Sequence, residues 1–335
     1  MSVSPVSPSG SSSSDVSSDP ARTTLLRIGT RRSPLALWQA EHIKARIEGE
    51  HRDVRVELVG IETRGDKILD VALAKVGGKG LFVKELETAL LDGGVDLCVH
   101  STKDMPAELP EGTAIIAFPP RADPRDCFAS PDGVGGRGGL TSLPRGARIG
   151  TSSLRRQAQL LMRRPDLEIV SVRGNVATRL RKVEEMGLSC VVLACAGLDR
   201  LEHAAMITHR FHPDEMLPAA GQGVLAIQAR DGDDVVNARL RFLDDPTVRV
   251  TTLAERAFLR GLGGGCQVPI AAHAVVDGDR VLLRGLICRA DGRVTIAATI
   301  EGGIADADAL GTSLAEDVIV RGGARLLEEI EGASS

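Results

Sequence analysis

Apolar runs too short for helices alternate with helix-length segments along most of this chain. That alternation restricts it to an α/β architecture on largely parallel strands. Thr24–Gly29 is one such run, followed by Ser33 and Pro34, the N-cap and first-turn residues expected before a helix carrying Leu35, Trp38 and Ile43. Val54–Gly60 reads as a strand, Leu81–Leu91 as a helix, and Val95–Val99 as a strand that runs into His100-Ser101-Thr102-Lys103-Asp104. After a proline-rich stretch at Phe118–Pro124 the rhythm resumes. Strand Arg148–Gly150 leads to a helix from about Leu154, then strand Leu167–Val172, helix Val176–Met186 and strand Ser189–Ala194.

Val224–Ala229 is a further strand of buried type, and from Asp245 onward the pattern changes. A helix over Val248–Leu262, three alternating strands at 270–276, 280–288 and 293–300, and a closing helix predict a small α+β domain. The expected layout is residues 1–22 as a disordered tail, 23–121 with 221–244 as a first lobe, 122–220 as a second, and 245–332 as the C-terminal domain. The lobes are linked near Pro119–Asp126 and again near Leu217–Gly223, which predicts a cleft between them.

In open α/β sheets ligands bind beyond the carboxyl ends of the strands, and here those ends share a chemistry. One strand is followed by Arg31, Arg32 and Ser33, another by Ser101, Lys103 and Asp104, a third by Thr151, Ser152, Ser153, Arg155 and Arg156, a fourth by Arg173, Gly174 and Asn175. Arg155 and Arg156 fall in a predicted first helical turn, where positive charge opposes the helix dipole by about 0.3–1 kcal/mol. An anion is expected to compensate. Hydroxyls, free backbone N–H groups and guanidinium forks suit carboxylates or phosphates. Plain solvated surface charge is the alternative for any one segment.

Asp104 is the one acid in that set. It reads either as a helix cap or salt-bridge partner, or as a carboxylate that stabilises positive charge developing in a substrate. Cys266 follows Gly263-Gly264-Gly265 on a loop just after a helix, an accessible setting for a thiol, although a buried structural role is the common case for cysteine. Lys75-Val76-Gly77-Gly78-Lys79-Gly80 lacks the Ser or Thr of a P-loop and reads as a lid whose Lys75 and Lys79 close over an anion, or as a plain flexible loop. Gly133, Gly135 and Gly138 match a dinucleotide fingerprint in spacing, but a linker context with no strand before them excludes it.

Bulk properties exclude other classes. Lys and Arg number 41 against 45 Asp and Glu, for a net charge of −4, and aromatic residues are 2% with no Tyr, which argues against nucleic-acid partners. No apolar run reaches membrane-spanning length, so no membrane association is expected. Six cysteines without a CxxC pair indicate neither a zinc site nor a disulfide framework, so no metal and a cytoplasmic location are expected.

Eight segments in order then carry a resemblance. RIGTRRSPLALWQA (27–40), TRGDKILD (63–70), AKVGGKGLFVKELE (74–87), VHSTKDMP (99–106), GTSSLRRQAQL (150–160), RGNVATRL (173–180), LPAAGQG (217–223) and GGGCQVPI (263–270) resemble the motifs of the porphobilinogen deaminase (hydroxymethylbilane synthase) family. The resemblance implies two periplasmic-binding-protein-like lobes around a cleft and a third domain bearing a dipyrromethane cofactor, joined through a thioether to Cys266. It implies a transferase that condenses four porphobilinogen molecules onto this primer with loss of ammonia and releases hydroxymethylbilane, acting as a monomer. Asp104 would help to protonate and expel the amine and then stabilise the azafulvene-like cation. Arg31, Ser33, Lys103, Thr151, Ser153, Arg155, Arg156, Arg173 and Arg179 occupy the family's cofactor- and substrate-binding positions. Phe82 lies beside the substrate and Gln222 in the second crossing. Thr102 within the HSTKD segment, the glycine-rich 133–139 insert and the serine-rich extension depart from the family pattern. A non-catalytic two-lobed protein binding a small anion shares the fold and the basic strand ends, but leaves Cys266 without a task.

Overall fold

A computed structural model describes residues 23–67, 80–264 and 268–332. The N-terminal tail, the proposed lid lysines Lys75 and Lys79, and Cys266 lie outside the described residues.

The chain begins with β1 (Thr24–Arg31) and α1 (Pro34–Glu50). The Ser33 hydroxyl accepts the Ala36 N–H at 3.4 Å and Pro34 supplies the first turn, as the sequence predicts. β2 (Val54–Ile61), the single turn α2 (Arg64–Lys67), α3 (Lys84–Leu91), β3 (Leu97–Ser101) and β4 (Thr113–Ala117) follow. The chain then crosses to β5 (Asp126–Ala129), β6 (Arg148–Gly150), α4 (Leu154–Arg163), β7 (Glu168–Val170), α5 (Val176–Glu185), β8 (Cys190–Ala194), α6 (Cys195–Arg200) and β9 (Ile207–Arg210). It returns with β10 (Leu225–Arg230) and α7 (Asp234–Leu240).

The two sheets share one plan. The first has the order β2-β1-β3-β10-β4 and the second β7-β6-β8-β5-β9. In each, four strands run parallel to one another and the one fourth in order runs antiparallel to them. That fourth strand is the one that has just arrived from the other lobe. Each lobe is therefore completed by a strand that enters through a crossing. The core of the first lobe gathers Ile28, Ile43, Leu97 and Ile227; that of the second gathers Phe128, Ile149, Leu160 and Phe211.

The two crossings lie side by side. Ala122 N–H donates to the Gly223 carbonyl at 3.1 Å, and Arg121 Nε to the Gln222 carbonyl at 2.9 Å. Gly223 has φ +87°, and a Cβ there would stand 2.5 Å from the Ala122 oxygen, so glycine alone permits this approach.

The last part is α+β, as expected: α8 (Pro246–Gly261), the antiparallel sheet β11 (Ile270–Asp277), β12 (Arg280–Cys288) and β13 (Thr295–Gly303), then α9 (Ala307–Val318) and α10 (Ala324–Gly332). Its core packs Phe258, Leu283 and Leu314, each at most 1% exposed and each stabilising the fold by roughly 1.5–3 kcal/mol. Among the described residues no helix is long and apolar enough to cross a membrane.

The sequence reading needs correction at three strands. β4, β5 and β9 have four or five residues and no polar alternation, so periodicity does not separate them from loop. A strand, β5, does precede Gly133, contrary to expectation. No α-helix opens after Gly138, only the one-turn Leu140–Ser142, so the dinucleotide fingerprint fails on that ground instead.

Candidate functional site

β3 delivers Ser101 and a single 3-10 turn, Thr102–Asp104, to the edge of the first lobe. Thr102 N–H donates to the Val224 carbonyl at 3.0 Å, which fixes the turn against the second crossing. Lys103 Nζ donates to Gln222 Oε1 at 3.3 Å. Burial and the neighbouring Arg156 push Lys103 down to about 8. Asp104, half-buried, is not the cap of its turn, and it accepts no hydrogen bond and forms no salt bridge among the described residues. With Arg31, Gln39, Phe82, His100 and Ser101 it lines a small pocket. Its charge acts on Lys103 in its own lobe and on Arg179 in the other, so the two lobes face each other here.

The pocket walls are themselves anchored. Gln39 Nε2 donates to Ser101 Oγ at 2.9 Å. His100 is 5% exposed and shares a hydrogen bond of 2.9 Å with Gln228 Oε1. Burial lowers its pKa to about 4 and keeps the ring neutral. Arg31 pairs with Asp66, with Nε 3.2 Å from Oδ2, and its guanidinium sits 4.3 Å from the Phe82 ring centroid. Phe82 thus has a defined partner at the pocket edge, rather than a place in the core.

The second lobe contributes the start of α4. Arg155 and Arg156 are each 6% exposed, and the anion that offsets them comes from within the chain: Asp126, at the head of β5, is fully buried between them. Asp126 Oδ2 accepts from Arg155 Nη1 at 2.7 Å, and Oδ1 from Arg156 Nε at 3.0 Å and Nη2 at 2.8 Å. Burial alone would raise the Asp126 carboxyl, but the two guanidiniums hold it well below the usual carboxylate range. The compensating anion expected from the sequence is therefore, in part, Asp126. One carboxylate against two guanidiniums still leaves positive charge, and Arg155 Nε and Nη2 have no hydrogen-bond partner among the described residues.

Of the remaining candidates, Arg179 and Gln222 border this cluster, while Thr151, Ser153 and Ser33 lie at or just before helix starts. Arg179 donates from Nε to the Gly174 carbonyl at 2.8 Å, and burial, then Arg156, lower it to about 10; Arg173 lies within its field. Thr151 is 5% exposed and its hydroxyl accepts the Ser153 N–H at 3.2 Å. Ser153 precedes α4 without a side-chain cap bond. Ser33 caps α1 with an oxygen lone pair, which leaves its O–H free to donate. Gln222 is 1% exposed, and its Nε2 donates to the Pro124 carbonyl at 2.7 Å and to Asp126 Oδ1 at 3.0 Å.

Among the described residues, Lys103, Arg155, Arg156 and Arg179 thus gather around Asp104 and Asp126, four cations against two carboxylates, with Arg173 beside Arg179. A ligand bearing several carboxylates fits that surplus. Asp126, Asp66, Gln39 and His100 were missed as site residues. The available signal for Asp126 was its place, directly before the apolar Cys127-Phe128-Ala129 at the end of the first crossing.

Two twice-joined α/β lobes with cationic strand ends facing each other, and a small α+β domain, place the protein in the class of two-lobed α/β proteins with an added C-terminal domain. The family model described as porphobilinogen deaminase, dipyromethane cofactor binding domain, matches residues 26–238, and that described as porphobilinogen deaminase, C-terminal domain, matches residues 250–319. A relative named porphobilinogen deaminase from Syntrophotalea carbinolica is 53% identical over 309 residues, covering 92% of this chain and 97% of that one. Those from Trichlorobacter lovleyi and Geobacter sulfurreducens are 51% and 50% identical over 305 residues, covering 91% of this chain and 96% and 94% of their own. The chain belongs to the porphobilinogen deaminase family, an enzyme family with a dipyrromethane cofactor.

Proposed function

We propose that the chain is a transferase that joins four porphobilinogen units, each with loss of ammonia, to a dipyrromethane primer on Cys266 and releases hydroxymethylbilane. The observation that most supports this is the gathering of Lys103, Arg155, Arg156 and Arg179 from two lobes beside Asp104, which accepts no hydrogen bond among the described residues. Each pyrrole unit carries an acetate and a propionate, so a growing chain demands such a surplus of positive charge.

When bound, dipyrromethane supplies the pyrrole carbon to which the first substrate is joined. Arg155 and Arg156, with Thr151, Ser153, Arg173 and Arg179, hold carboxylates from the second lobe. Arg31, Ser33 and Lys103 hold them from the first. Asp104 passes a proton to the substrate amine as the carbon–nitrogen bond breaks, and its carboxylate then stabilises the positive charge left on the substrate. Phe82 and His100 wall the pocket and limit water around that charge.

We assign residues 23–121 with 221–244 and 122–220 to the two lobes, and 245–332 to the cofactor-bearing domain; the separation of the strands into three sheets supports these bounds. A cytoplasmic monomer is the accompanying reading. The five described cysteines are free and buried, which suits a reducing compartment.

Intact-mass measurement tests the proposal. The purified protein should exceed its sequence mass by two pyrrole units, and Cys266→Ser should carry no adduct and make no linear tetrapyrrole. Tetrapyrrole synthesis by Cys266→Ser at the normal rate would reject the tethered primer.

A further inference from the structure

Asp126 has no hydrogen bond to Asp104, yet it lies at the centre of the hydrogen bonds that join the Arg155 and Arg156 forks to the turn carrying it. Its side chain is completely buried and receives four hydrogen bonds, from Arg155, from two nitrogens of Arg156, and from Gln222. Both arginines are also fastened to backbone: Arg155 Nη1 to the Leu217 carbonyl at 2.7 Å, Arg156 Nη1 to the Val192 carbonyl at 3.0 Å. These bonds lock each fork in one orientation and aim its unused N–H groups.

Gln222 extends the network into the other lobe. Its Nε2 meets the Asp126 carboxylate, and its Oε1 meets the Lys103 ammonium. The amide can take only this orientation, because a flip would set its oxygen against a carboxylate and its NH2 against a cation. Lys103 is the residue next to Asp104. A continuous path therefore runs from the arginine forks through Asp126 and Gln222 to the turn that carries Asp104.

We propose that Asp126 is a positioning residue for the reaction: it holds the Arg155 and Arg156 forks in register and, through Gln222 and Lys103, sets them at a fixed spacing from Asp104. This rests on the assignment of those arginines to primer carboxylates and of Asp104 to proton transfer. A buried ion triad is a costly way to gain stability alone, since well-packed apolar residues do as well. Its value here is geometric, in that forks held in place before the ligand arrives lose less freedom on binding.

The isosteric Asp126→Asn tests this. The fraction of enzyme carrying the primer should fall about tenfold or more, because two guanidiniums lose the partner that orients them. In the loaded fraction, the basic limb of the kcat/KM profile should move to lower pH by at least about half a unit. Lys103 is faced by Asp104, Asp126, Arg155 and Arg156, and removal of one of its two anions favours its neutral form. A role confined to folding would reduce the amount of enzyme without moving that limb, and a loaded variant with an unmoved limb overturns the proposal. Should Asp126→Asn fail to fold, Gln222→Met decides: it leaves the ion triad intact and removes the tie between Asp126 and Lys103 together with one bond to the Pro124 carbonyl. Primer loading should persist while turnover per loaded enzyme falls about tenfold. Unchanged turnover overturns the proposal. Arg155→Ala separates the underlying assignment, because normal primer loading there would refute the carboxylate role of the arginine whatever Asp126 does.

Discussion

Asp104 and His100 share one pocket wall but answer to different physics. Asp104 is a carboxylate without a hydrogen-bond partner among the described residues, beside the fields of Lys103 and Arg179. Asp104→Asn keeps the shape and removes both the proton and the charge. We expect it to retain the primer and lose about 10²–10⁴ in turnover, the range for a positioned acid or base. Ammonia release per primer-bearing molecule measures this, and normal release would end the charge-stabilising role.

His100, in contrast, is held neutral by burial, with a folded pKa of about 4 against about 6.5 unfolded. The unfolded chain binds the proton more readily, so the stability that the neutral ring contributes is complete above about pH 6.5 and is lost as the pH falls through about 4. The loss at the acid end reaches about 3 kcal/mol. Urea midpoints between pH 7 and 4 should therefore fall less steeply in His100→Gln than in the parent, and parallel curves would contradict this.

Helix α4 works at both of its ends. Its first turn carries Arg155 and Arg156, while its later turns support the C-terminal domain. The β12–β13 turn presses Gly292 onto it, with φ +72°, and a Cβ there would stand 2.4 Å from the Met162 nitrogen and 2.6 Å from the Ala158 oxygen. These are backbone atoms of a helix and cannot yield cheaply. Ala158, Leu217, Ala271, Leu286 and Cys288 form an apolar seam beneath the same contact. Gly292→Ala should cost about 1–3 kcal/mol and lift the hairpin away from α4. Faster amide exchange over residues 286–296 than elsewhere in the small domain would register this, and unchanged exchange would refute it.

The C-terminal domain meets both crossings at a buried carboxylate, Glu255 on α8, which is 0% exposed. It accepts from Arg121 Nη1 at 2.6 Å on the first crossing, from the Gly221 N–H at 2.6 Å on the second, and from the Ala274 N–H at 2.8 Å on β11. Glu255→Gln replaces an acceptor with a group that must turn an NH2 toward donors. The expected cost is about 3–5 kcal/mol, read as a lower urea midpoint. An unchanged midpoint would show that the junction does not depend on this charge.

Local order and ligand chemistry stood open to reading in the chain. Ser33-Pro34 specifies a helix start whatever surrounds it, and a basic or hydroxyl residue after a strand lies at a sheet edge in any α/β fold. For that reason the two-lobe plan and most of the candidate residues could be inferred from order and residue type. The partners of those residues could not. Asp126 lies 29 positions before Arg155 and 96 before Gln222, and Asp66 lies 35 after Arg31. Nothing local to either member records such a pairing. Burial produces it: a guanidinium removed from water requires an anion, and which anion stands within 3 Å depends on how β5 and α4 pack. The same holds for β4, β5 and β9, whose short runs acquire strand geometry only when the neighbouring strands supply their hydrogen bonds.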